Sequence, residues 1–356
     1  MMFKKKEILL LLILIVAVFV LSGCGEKAET SADQTTDQTQ DQTAAPVPVN
    51  TSDWASAPNG RILVSPQWLN AVIKGEPADT YQNNKYMILE ASWGPTSDDY
   101  KAGHIPGAYH FNTDNIETEE NFWNIGPIDH VKASLTAAGI TSDTTVIVYG
   151  NNPTDLAGAA RVVFALMWAG VQDVRLLDGG LTTWKSAGYP TETKDNQPTP
   201  VADFGVEIPQ HPEYIIATPK EVLEAQKDKN FRLISIRTWE EFIGETSGYD
   251  YIKGAGEPKG AVWGHCGKDT FGVMTDYVHD DGTFKSFSEI EPMWADWDIS
   301  KDTINSFYCG TGWRACVPWL MAYMQGWDNI TLYDGGWYMW EMDKSLPVQK
   351  GDPRTE

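Results

Sequence analysis

Residues 144–184 read TTVIVYGNNPTDLAGAARVVFALMWAGVQDVRLLDGGLTTW, and residues 302–340 read DTINSFYCGTGWRACVPWLMAYMQGWDNITLYDGGWYMW. Each segment has a β-rich run, a glycine-containing loop, an apolar stretch, a second β-rich run and the sequence Asp-Gly-Gly-x-x-x-Trp. The two aspartates of this last motif, Asp178 and Asp334, are 156 positions apart. Because the whole order of elements recurs, the sequence predicts a duplicated domain.

Each copy has the pattern of a parallel βαβ unit. Residues 146–148 form a continuous apolar run, which is typical of a strand buried on both faces of a sheet. Residues 159–169 carry apolar side chains at helical spacing and end at Gly170, a common helix cap. The predicted fold class is α/β, with two tandem domains, each a mostly parallel sheet flanked by helices. Ligands of such folds bind at the carboxyl ends of strands, where the loop after Tyr308 lies.

The N-terminus has the features of an export signal. Three lysines at residues 4–6 precede an apolar run over 8–21, which is shorter than the roughly 20 residues of a membrane-spanning helix. The sequence LSGC that ends at Cys24 resembles the lipobox of bacterial lipoproteins, in which the cysteine is acylated and the chain is cut before it. We expect residues 1–23 to be a signal peptide and the protein to be extracytoplasmic, anchored to a membrane by lipid on Cys24. A plain signal peptide or an uncleaved anchor is the alternative.

Composition also suggests the domain boundaries. Residues 24–58 are rich in Thr, Asp, Gln, Ala and Pro, and they have too little apolar surface to offset the entropy lost on ordering. We expect them to form a flexible tether. The first domain is placed at 59–190 and the second at 214–350, with a polar, proline-containing linker over 191–213.

The chain is strongly acidic. It has 49 acidic and 27 basic residues, a formal net charge of −22. Cleavage before Cys24 removes three lysines and one glutamate, which leaves 24 basic and 48 acidic residues and a charge of −24. This charge argues against a nucleic acid partner and against adhesion to anionic lipid.

Three cysteines follow Cys24, namely Cys266, Cys309 and Cys316. Their odd number argues against a disulfide scaffold, and the chain has no Cys-x-x-Cys pair of the kind that holds structural zinc. We therefore expect no metal site.

Cys309 opens a glycine-rich loop, CGTGWR, before a predicted helix. Backbone N–H groups of such a loop, the positive end of the helix and the guanidinium of Arg314 would each lower the pKa of a thiol. The loop therefore predicts a nucleophile at Cys309. A disulfide between Cys309 and Cys316 is the alternative. Cys316 is otherwise interpreted as an apolar helix residue or as a thiol that resolves an intermediate.

With these motifs the sequence resembles a tandem-domain rhodanese, a sulfurtransferase. The likeness covers about residues 61–347 and rests on Gly-His-Ile-Pro-Gly-Ala at 103–108, LISIRTWEEFIG at 233–244, CGTGWR at 309–314 and the two Asp-Gly-Gly-x-x-x-Trp motifs. The resemblance implies no metal and no organic cofactor. It implies a persulfide on the catalytic cysteine that is held by the rest of the loop, namely Gly310, Thr311, Gly312, Trp313 and Arg314.

The resemblance also implies that the first domain is inactive. Its counterpart of the loop begins at Gly150, and no cysteine occurs between Cys24 and Cys266. His104 lies in a motif that turns a strand end, so we expect it to be structural and not catalytic. His265 beside Cys266 suggests a Cys–His dyad, but neighbours on a strand point to opposite faces, so we interpret the pair as incidental.

Loop length separates this prediction from a phosphatase of the same fold. Such phosphatases use Cys-x5-Arg to wrap a phosphate, whereas Cys309 and Arg314 are joined by Cys-x4-Arg. The smaller loop suits a single transferred sulfur atom better. Trp313 is interpreted either as a hydrophobic lid over the persulfide or as packing between the domains.

The resemblance leaves two sulfur donors open. Arg237 is either an ion-pair partner within the fold or a substrate contact, and Lys259 is a second candidate contact. Where mercaptopyruvate enzymes have an arginine for the substrate carboxylate, this chain has Glu241, which would repel it. The opening Cys-Gly-Thr-Gly resembles the mercaptopyruvate type, but Arg314 resembles the single-domain type that favours thiosulfate. We expect thiosulfate, with 3-mercaptopyruvate as the alternative.

The sequence thus predicts a sulfurtransferase that takes a sulfane sulfur from a small anionic donor onto Cys309. The acceptor would be thiophilic: cyanide in an assay, and a thiol or a sulfur-carrier protein in the cell. The alternative is a non-catalytic module of the cell envelope that binds a partner or carries sulfur.

Overall fold

The computed structural model of the chain describes residues 45–268 and 274–355. In these two ranges no helix has both the length and the apolar character that crossing a membrane requires. The expected signal peptide, the lipidated Cys24 and most of the tether lie outside the described residues.

The first domain is built on a parallel sheet. Its strands are β1 (Leu63–Val64), β2 (Tyr86–Ser92), β3 (Tyr109–Asn112), β4 (Thr145–Tyr149) and β5 (Asp173–Leu177). Its helices are α1 (Pro66–Lys74), α2 (Asp98–Ala102), α3 (Ile128–Ala137), α4 (Leu156–Ala169) and α5 (Gly180–Ser186). The strand order is β1-β5-β4-β2-β3, and every pair is parallel.

The second domain repeats this plan. Its strands are β6 (Ile215–Ile216), β7 (Phe231–Ser235), β8 (Glu257–Pro258), β9 (Val262–Trp263), β10 (Ile304–Tyr308), β11 (Ile330–Tyr333) and β12 (Val348–Gln349). Its helices are α6 (Pro219–Ala225), α7 (Trp239–Phe242), α8 (Phe287–Ala295), α9 (Trp313–Met324) and α10 (Gly336–Met342). The parallel order β6-β11-β10-β7-β9 matches that of the first sheet, and β8 pairs with β12 in a small antiparallel ladder. The predicted α/β class and the duplication are confirmed.

The central helices of the two copies, α4 and α9, join the domains into one core. All 14 residues of α4 are buried, which explains why its sequence, apart from Arg161, is apolar all around the helix. The rings of Phe164 in α4 and Trp319 in α9 meet edge to face with centroids 4.6 Å apart. The N-termini of the two helices also lie close together: a Cβ added to Gly158 in α4 would be only 3.3 Å from the ring of Trp313, the first residue of α9. The loops that precede these helices are therefore neighbours.

The folded part begins earlier than the sequence predicts, so the expected tether boundary at residue 58 is wrong. Val49, Asn50 and Trp54 are buried. Trp54 Nε1 donates a hydrogen bond of 2.9 Å to the carbonyl of Lys285 in the second domain, and Asn50 Nδ2 donates one of 2.6 Å to Leu63. The polar composition of the segment concealed these few residues, because composition averages over side chains whereas anchoring needs only one or two.

The linker over 191–213 is packed along the first domain. Glu192 and His104 exchange backbone hydrogen bonds of 2.9 Å, and Phe204 and Ile208 are buried. The linker therefore has a fixed path where the structure describes it.

Candidate active site

Cys309 lies directly after β10, at the carboxyl edge of the second sheet, and opens residues 309–314 (the Cys309 loop). Its Sγ accepts a hydrogen bond of 3.2 Å from the N–H of Gly312, and the residue is 1% exposed. Gly312 has φ of +98°, and a Cβ there would lie 2.7 Å from Arg161 and 3.1 Å from Asp334. The loop therefore needs glycine at this position in order to close around the sulfur.

The second Asp-Gly-Gly motif holds the Cys309 loop from outside. The N–H groups of Trp337 and Tyr338, in the first turn of α10, donate to the carbonyls of Cys309 (2.8 Å) and Gly310 (3.1 Å). Gly336 has φ of +54°, and a Cβ there would overlap the Gly310 carbonyl and lie 2.7 Å from that of Cys309. With its carbonyls bound outward, the loop is free to turn N–H groups toward the sulfur.

The first domain keeps this scaffold without the thiol. The N–H of Leu181 donates to the carbonyl of Gly150 at 3.0 Å, and Gly180 has φ of +56° with no room for a Cβ beside that carbonyl. The motif therefore serves the same structural purpose in both copies, although only the second copy has a cysteine at the start of the loop.

Arg314 does not direct its charge at the sulfur, contrary to the expectation from sequence. Its two terminal nitrogens donate to the two carboxylate oxygens of Glu241, both at 2.9 Å, and Nη2 also donates to the hydroxyl of Tyr249. Burial would raise the pKa of Glu241, but Arg314 and Arg237 outweigh it and hold that pKa at about 2. The expected repulsion of a substrate by Glu241 is also wrong, because this carboxylate is buried between the two arginines.

Two tyrosines that the sequence analysis missed stand over the Cys309 loop. The hydroxyl of Tyr249 accepts the N–H of Gly310 at 3.1 Å, and that of Tyr251 lies 3.5 Å from Thr311 Oγ1. Burial raises the pKa of Tyr249 well above its ordinary value and that of Tyr251 to about 12, so both phenols are neutral at physiological pH. The only signal in the sequence is the pattern Tyr-x-Tyr in a polar segment.

Arg237 is an internal ion-pair partner. It is fully buried, and it donates to Glu257 (2.7 Å) and Glu241 (3.3 Å) and to the carbonyls of Gly256 (2.8 Å) and Ser247 (2.7 Å). Four of its five N–H groups are bound inside the protein and the side chain is fully buried, which favours the role of an ion-pair partner over that of a substrate contact.

The hydrogen bonds of Lys259 do not involve the Cys309 loop. It is exposed in the turn between β8 and β9, and its backbone joins the carbonyl of Pro347 and the side chain of Gln226. Nothing among the described contacts connects its ammonium group to the Cys309 loop.

The other two cysteines are buried thiols. Burial raises the pKa of Cys266 to about 11 and that of Cys316 further, and Cys316 Sγ donates to the carbonyl of Gly312 at 3.3 Å. Within the described residues Cys266, Cys309 and Cys316 are all free, so the disulfide considered for Cys309 and Cys316 is not formed.

The two histidines that the sequence singled out have structural contacts. His104 is buried, stacks on Tyr100 at 3.7 Å and bonds through Nδ1 to the Tyr100 carbonyl at 2.7 Å. His265 stacks on Trp263 and lies 3.7 Å from Asp276. In residues 45–268 and 274–355 no group of three or more His, Cys, Asp and Glu side chains is arranged to hold a metal ion.

A charged network fixes the Cys309 loop to the first domain. Trp313 Nε1 donates to Glu117, so this ring packs between the domains. Arg161 joins Glu117 (2.8 Å) to Asp334 (2.6 Å), and Asp334 also accepts the N–H of Ile125 at 2.7 Å. Arg161 is the residue that sequence reasoning could have found, because it is the one charge in an otherwise apolar helix.

Asp178, the counterpart of Asp334 in the first copy, binds across the interface in the opposite direction, to the second domain. Asp178 accepts the N–H of Phe284, in the second domain, at 2.8 Å. Burial raises the pKa of Asp178 to about 7. In both Asp-Gly-Gly motifs, therefore, the aspartate binds the other domain and the second glycine lets the following helix dock on the loop.

The fold and the site define a class of protein: two α/β domains with one thiol held by backbone N–H groups at a strand end. Comparisons with known proteins agree. The family model of the Rhodanese-like domain matches residues 66–187 and 218–343. Thiosulfate sulfurtransferase YnjE of Escherichia coli K12 is 43% identical over 299 residues, which make up 83% of this chain and 66% of YnjE, just under two thirds.

Solved structures give the same result. The crystal structure of YnjE has a TM-score of 0.79 at 42% identity, over 83% of this chain and 70% of that one. A structure of EanB with a cysteine persulfide and ergothioneine has a TM-score of 0.80 at 36% identity, over 83% and 72% of the two chains. The anaerobic ergothioneine biosynthesis enzyme from Chlorobium limicola matches with the same score, identity and coverage.

The chain belongs to the rhodanese family, carrying the Rhodanese-like domain twice in tandem. Its 43% identical relative, YnjE, is a thiosulfate sulfurtransferase. The resemblance drawn from the sequence is thereby confirmed.

Proposed function

We propose that this protein moves a sulfane sulfur from a small anionic donor to a thiophilic acceptor through a persulfide on Cys309. The observation that carries the proposal is the hydrogen bond from Gly312 N–H to the buried Sγ at the start of α9. A buried sulfur anion is costly unless hydrogen bonds and dipoles replace its hydration. The loop N–H and the positive end of the helix supply them.

The reaction would proceed in two displacements. The Cys309 thiolate attacks the outer sulfur of the donor, the donor's sulfur–sulfur bond breaks, and its electron pair leaves on sulfite when the donor is thiosulfate. The acceptor then attacks the outer sulfur of the persulfide, and the Cys309 thiolate is released. Cyanide would become thiocyanate in this second step, and no external oxidant or reductant is needed. Tyr249 positions the loop through Gly310 and Arg314.

Thiosulfate is the proposed donor because the 43% identical relative is a thiosulfate sulfurtransferase. The second candidate is 3-mercaptopyruvate. Glu241 gives no reason to reject its carboxylate, since Arg314 and Arg237 neutralise that glutamate inside the protein. Neither arginine offers a free charge to either donor.

The test is thiocyanate production by the soluble form that begins after Cys24, with each donor. Cys309→Ser should lose turnover by about 10³-fold or more, because the covalent step disappears. Cys316→Ser is the matched control and should keep it, since its thiol faces the Gly312 carbonyl. Mass spectrometry should show one added sulfur atom on Cys309 after donor alone. Turnover in Cys309→Ser would overturn the proposal, and a persulfide without turnover in folded wild type would favour a non-catalytic sulfur carrier.

We also propose that the protein is held at the outer side of a bacterial membrane by lipid on Cys24. The support is the LSGC sequence after the apolar run over residues 8–21. Growth with a labelled fatty acid should label the wild type and leave Cys24→Ser unlabelled and out of the membrane fraction. Equal labelling of both proteins would exclude this anchor.

A further inference from the structure

A carboxylate of the first domain, Glu117, lies against the start of α9 in the second domain. The residue is 1% exposed, and its backbone pairs with that of Ile125 in an antiparallel bridge. The N–H of Ile125 donates to Asp334 at 2.7 Å, across the interface. The segment 117–125 is thus bound to the second domain, and Glu117 has a fixed place there.

The two carboxylate oxygens of Glu117 have different partners. Oε2 accepts Nε of Arg161 at 2.8 Å within the first domain, and Oε1 accepts the indole N–H of Trp313 across the interface. Because Arg161 fixes one oxygen, the other stays directed at Trp313. Burial raises the pKa of Glu117 to about 7 against the attraction of Arg161, so the carboxyl is mainly ionised at pH 8.

Trp313 follows the residue whose N–H binds the sulfur. The N–H of Gly312 donates to Cys309 Sγ at 3.2 Å. A Cβ at Gly312 would lie 2.7 Å from Arg161 Nη1 and 3.1 Å from Asp334 Oδ1, so the ion pair of these two side chains packs directly against the glycine. Glycine has the greatest backbone freedom of any residue, so its N–H keeps one direction only where the surroundings fix it.

The second domain fixes the parts of the Cys309 loop on either side of Gly312. Helix α10 and Tyr249 hold the beginning of the loop, and Arg314 ends it in an ion pair. Gly312 itself receives from this domain the S–H of Cys316, a weak donor, at 3.3 Å from its carbonyl. The charge-assisted bond that adjoins Gly312 in the chain is the one from Trp313 to the first domain. The direction of the Gly312 N–H therefore depends on the first domain.

We propose that Glu117 is a positioning residue for sulfur transfer, which acts through Trp313 to keep the N–H of Gly312 directed at the sulfur of Cys309. This inference rests on the proposed function of Cys309 as the nucleophile that carries the sulfur. A hydrogen bond to a sulfur anion favours the thiolate over the thiol, so a misaligned N–H moves the ionisation of the thiol to higher pH. The domain without a cysteine would in this way set the reactivity of the cysteine in the other.

The test is the rate at which iodoacetamide alkylates Cys309 as a function of pH, followed by mass spectrometry. The midpoint of this profile reports the ionisation of the thiol, whereas its plateau at high pH reports access to the thiol. Trp313→Phe removes the N–H that binds Glu117 and keeps an aromatic ring. It should move the midpoint up by about 0.5 pH unit or more, since hydrogen bonds to charged groups are worth about 1.5–3 kcal/mol.

A double-variant cycle shows whether Glu117 acts through Trp313. In a Glu117→Ala background, Trp313→Phe should move the midpoint by less than half as much as it does alone, because its partner is already absent. The comparison is independent of any direct effect of the Glu117 charge on the thiol, since that charge is missing from both proteins. An unchanged midpoint in Trp313→Phe alone, or an equal shift in both backgrounds, would overturn the proposal.

Asp178→Ala is the matched control. Asp178 also bonds across the interface, to the N–H of Phe284, but it does not touch the Cys309 loop. Thermal unfolding shows that each variant is folded, and the midpoint of Asp178→Ala should stay at the wild-type value. A shift as large as that of Trp313→Phe would mean a general loosening of the interface and would contradict the assigned role.

A second measurement separates this inference from the proposed function. The rate of persulfide formation on Cys309 from thiosulfate, in a single turnover at pH 8, should fall at least about threefold in Trp313→Phe at an unchanged half-saturating concentration. An unchanged rate would contradict a role in sulfur transfer. Wild type that forms no persulfide, with the midpoint still shifted in Trp313→Phe, would refute the proposed function but support the positioning of the sulfur by Glu117.

Discussion

Replacing Gly336 with alanine should release the Cys309 loop from the helix that holds it. Gly336 has φ of +54°, where an alanine costs about 1–2 kcal/mol. Its Cβ would overlap backbone atoms of Gly310, which cannot move aside as a flexible side chain can. The start of α10 must therefore shift, which breaks the bonds from Trp337 and Tyr338 to the loop carbonyls at about 1 kcal/mol each. We expect a total loss of about 3–4 kcal/mol of stability.

The matched control is Gly180→Ala in the first copy. Its φ is +56°, its Cβ would overlap the carbonyl of Gly150, and one hydrogen bond, from Leu181, depends on it. We expect a loss of about 2–3 kcal/mol. Because the first copy has no thiol, turnover of folded Gly180→Ala should stay near wild type, whereas Gly336→Ala should lose at least about tenfold.

Both variants would be measured by urea unfolding and by thiocyanate production at a temperature where each is folded. The reasoning is refuted if Gly336→Ala keeps full turnover, since the contact of α10 with the Cys309 loop would then not shape that loop. It is equally refuted if Gly180→Ala loses as much turnover as Gly336→Ala, since the effect would then reflect general destabilisation.

Three further predictions concern other parts of the molecule. Glu241→Gln should lower the free energy of unfolding by about 3 kcal/mol at pH 7, because the pKa of this buried carboxyl is lowered from 4.5 to about 2. A lowered pKa gives stability that is present above pH 4.5 and is lost as the pH falls to about 2. The free energies of unfolding of wild type and variant, measured in urea, should therefore converge over that range. Trp54→Ala should lower the free energy of unfolding by about 3–5 kcal/mol. A chain starting at residue 59 should likewise be less stable in urea than one starting at residue 45. Equal stability of the two chains would mean that residues 45–58 are a free tether. Tyr251→Ala should speed the reaction of Cys309 with iodoacetamide several-fold by uncovering the loop, as followed by mass spectrometry, whereas Tyr86→Ala on the first domain should not change it.

The first domain has a defined part in the site although it has no cysteine. Glu117 binds the indole of Trp313, and Arg161 binds Asp334, which lies just before α10. The Cys309 loop is thus tied to the first domain directly through Trp313, and the segment before α10, which holds the loop, is tied to it through Asp334. This dependence gives a physical reason for a tandem chain to keep a copy that has no cysteine.

The sequence by itself determined the elements and their order. The buried run of β4, the cap at Gly170 and the repeated Asp-Gly-Gly are local patterns, and local patterns set strands, helix ends and turns. The position of Cys309 at a strand end followed from the same patterns, because a parallel sheet brings its strand ends to one edge.

Only the tertiary structure decided where the charges point. Arg314 and Glu241 are 73 positions apart, and nothing local shows whether the guanidinium binds the sulfur or that carboxylate. Tyr249 reaches the loop from 61 positions away in a segment without regular secondary structure, and Trp54 anchors a stretch whose composition is that of a tether. Such contacts depend on how separate elements pack. A sequence states which side chains are available, whereas the packed fold determines which of them meet.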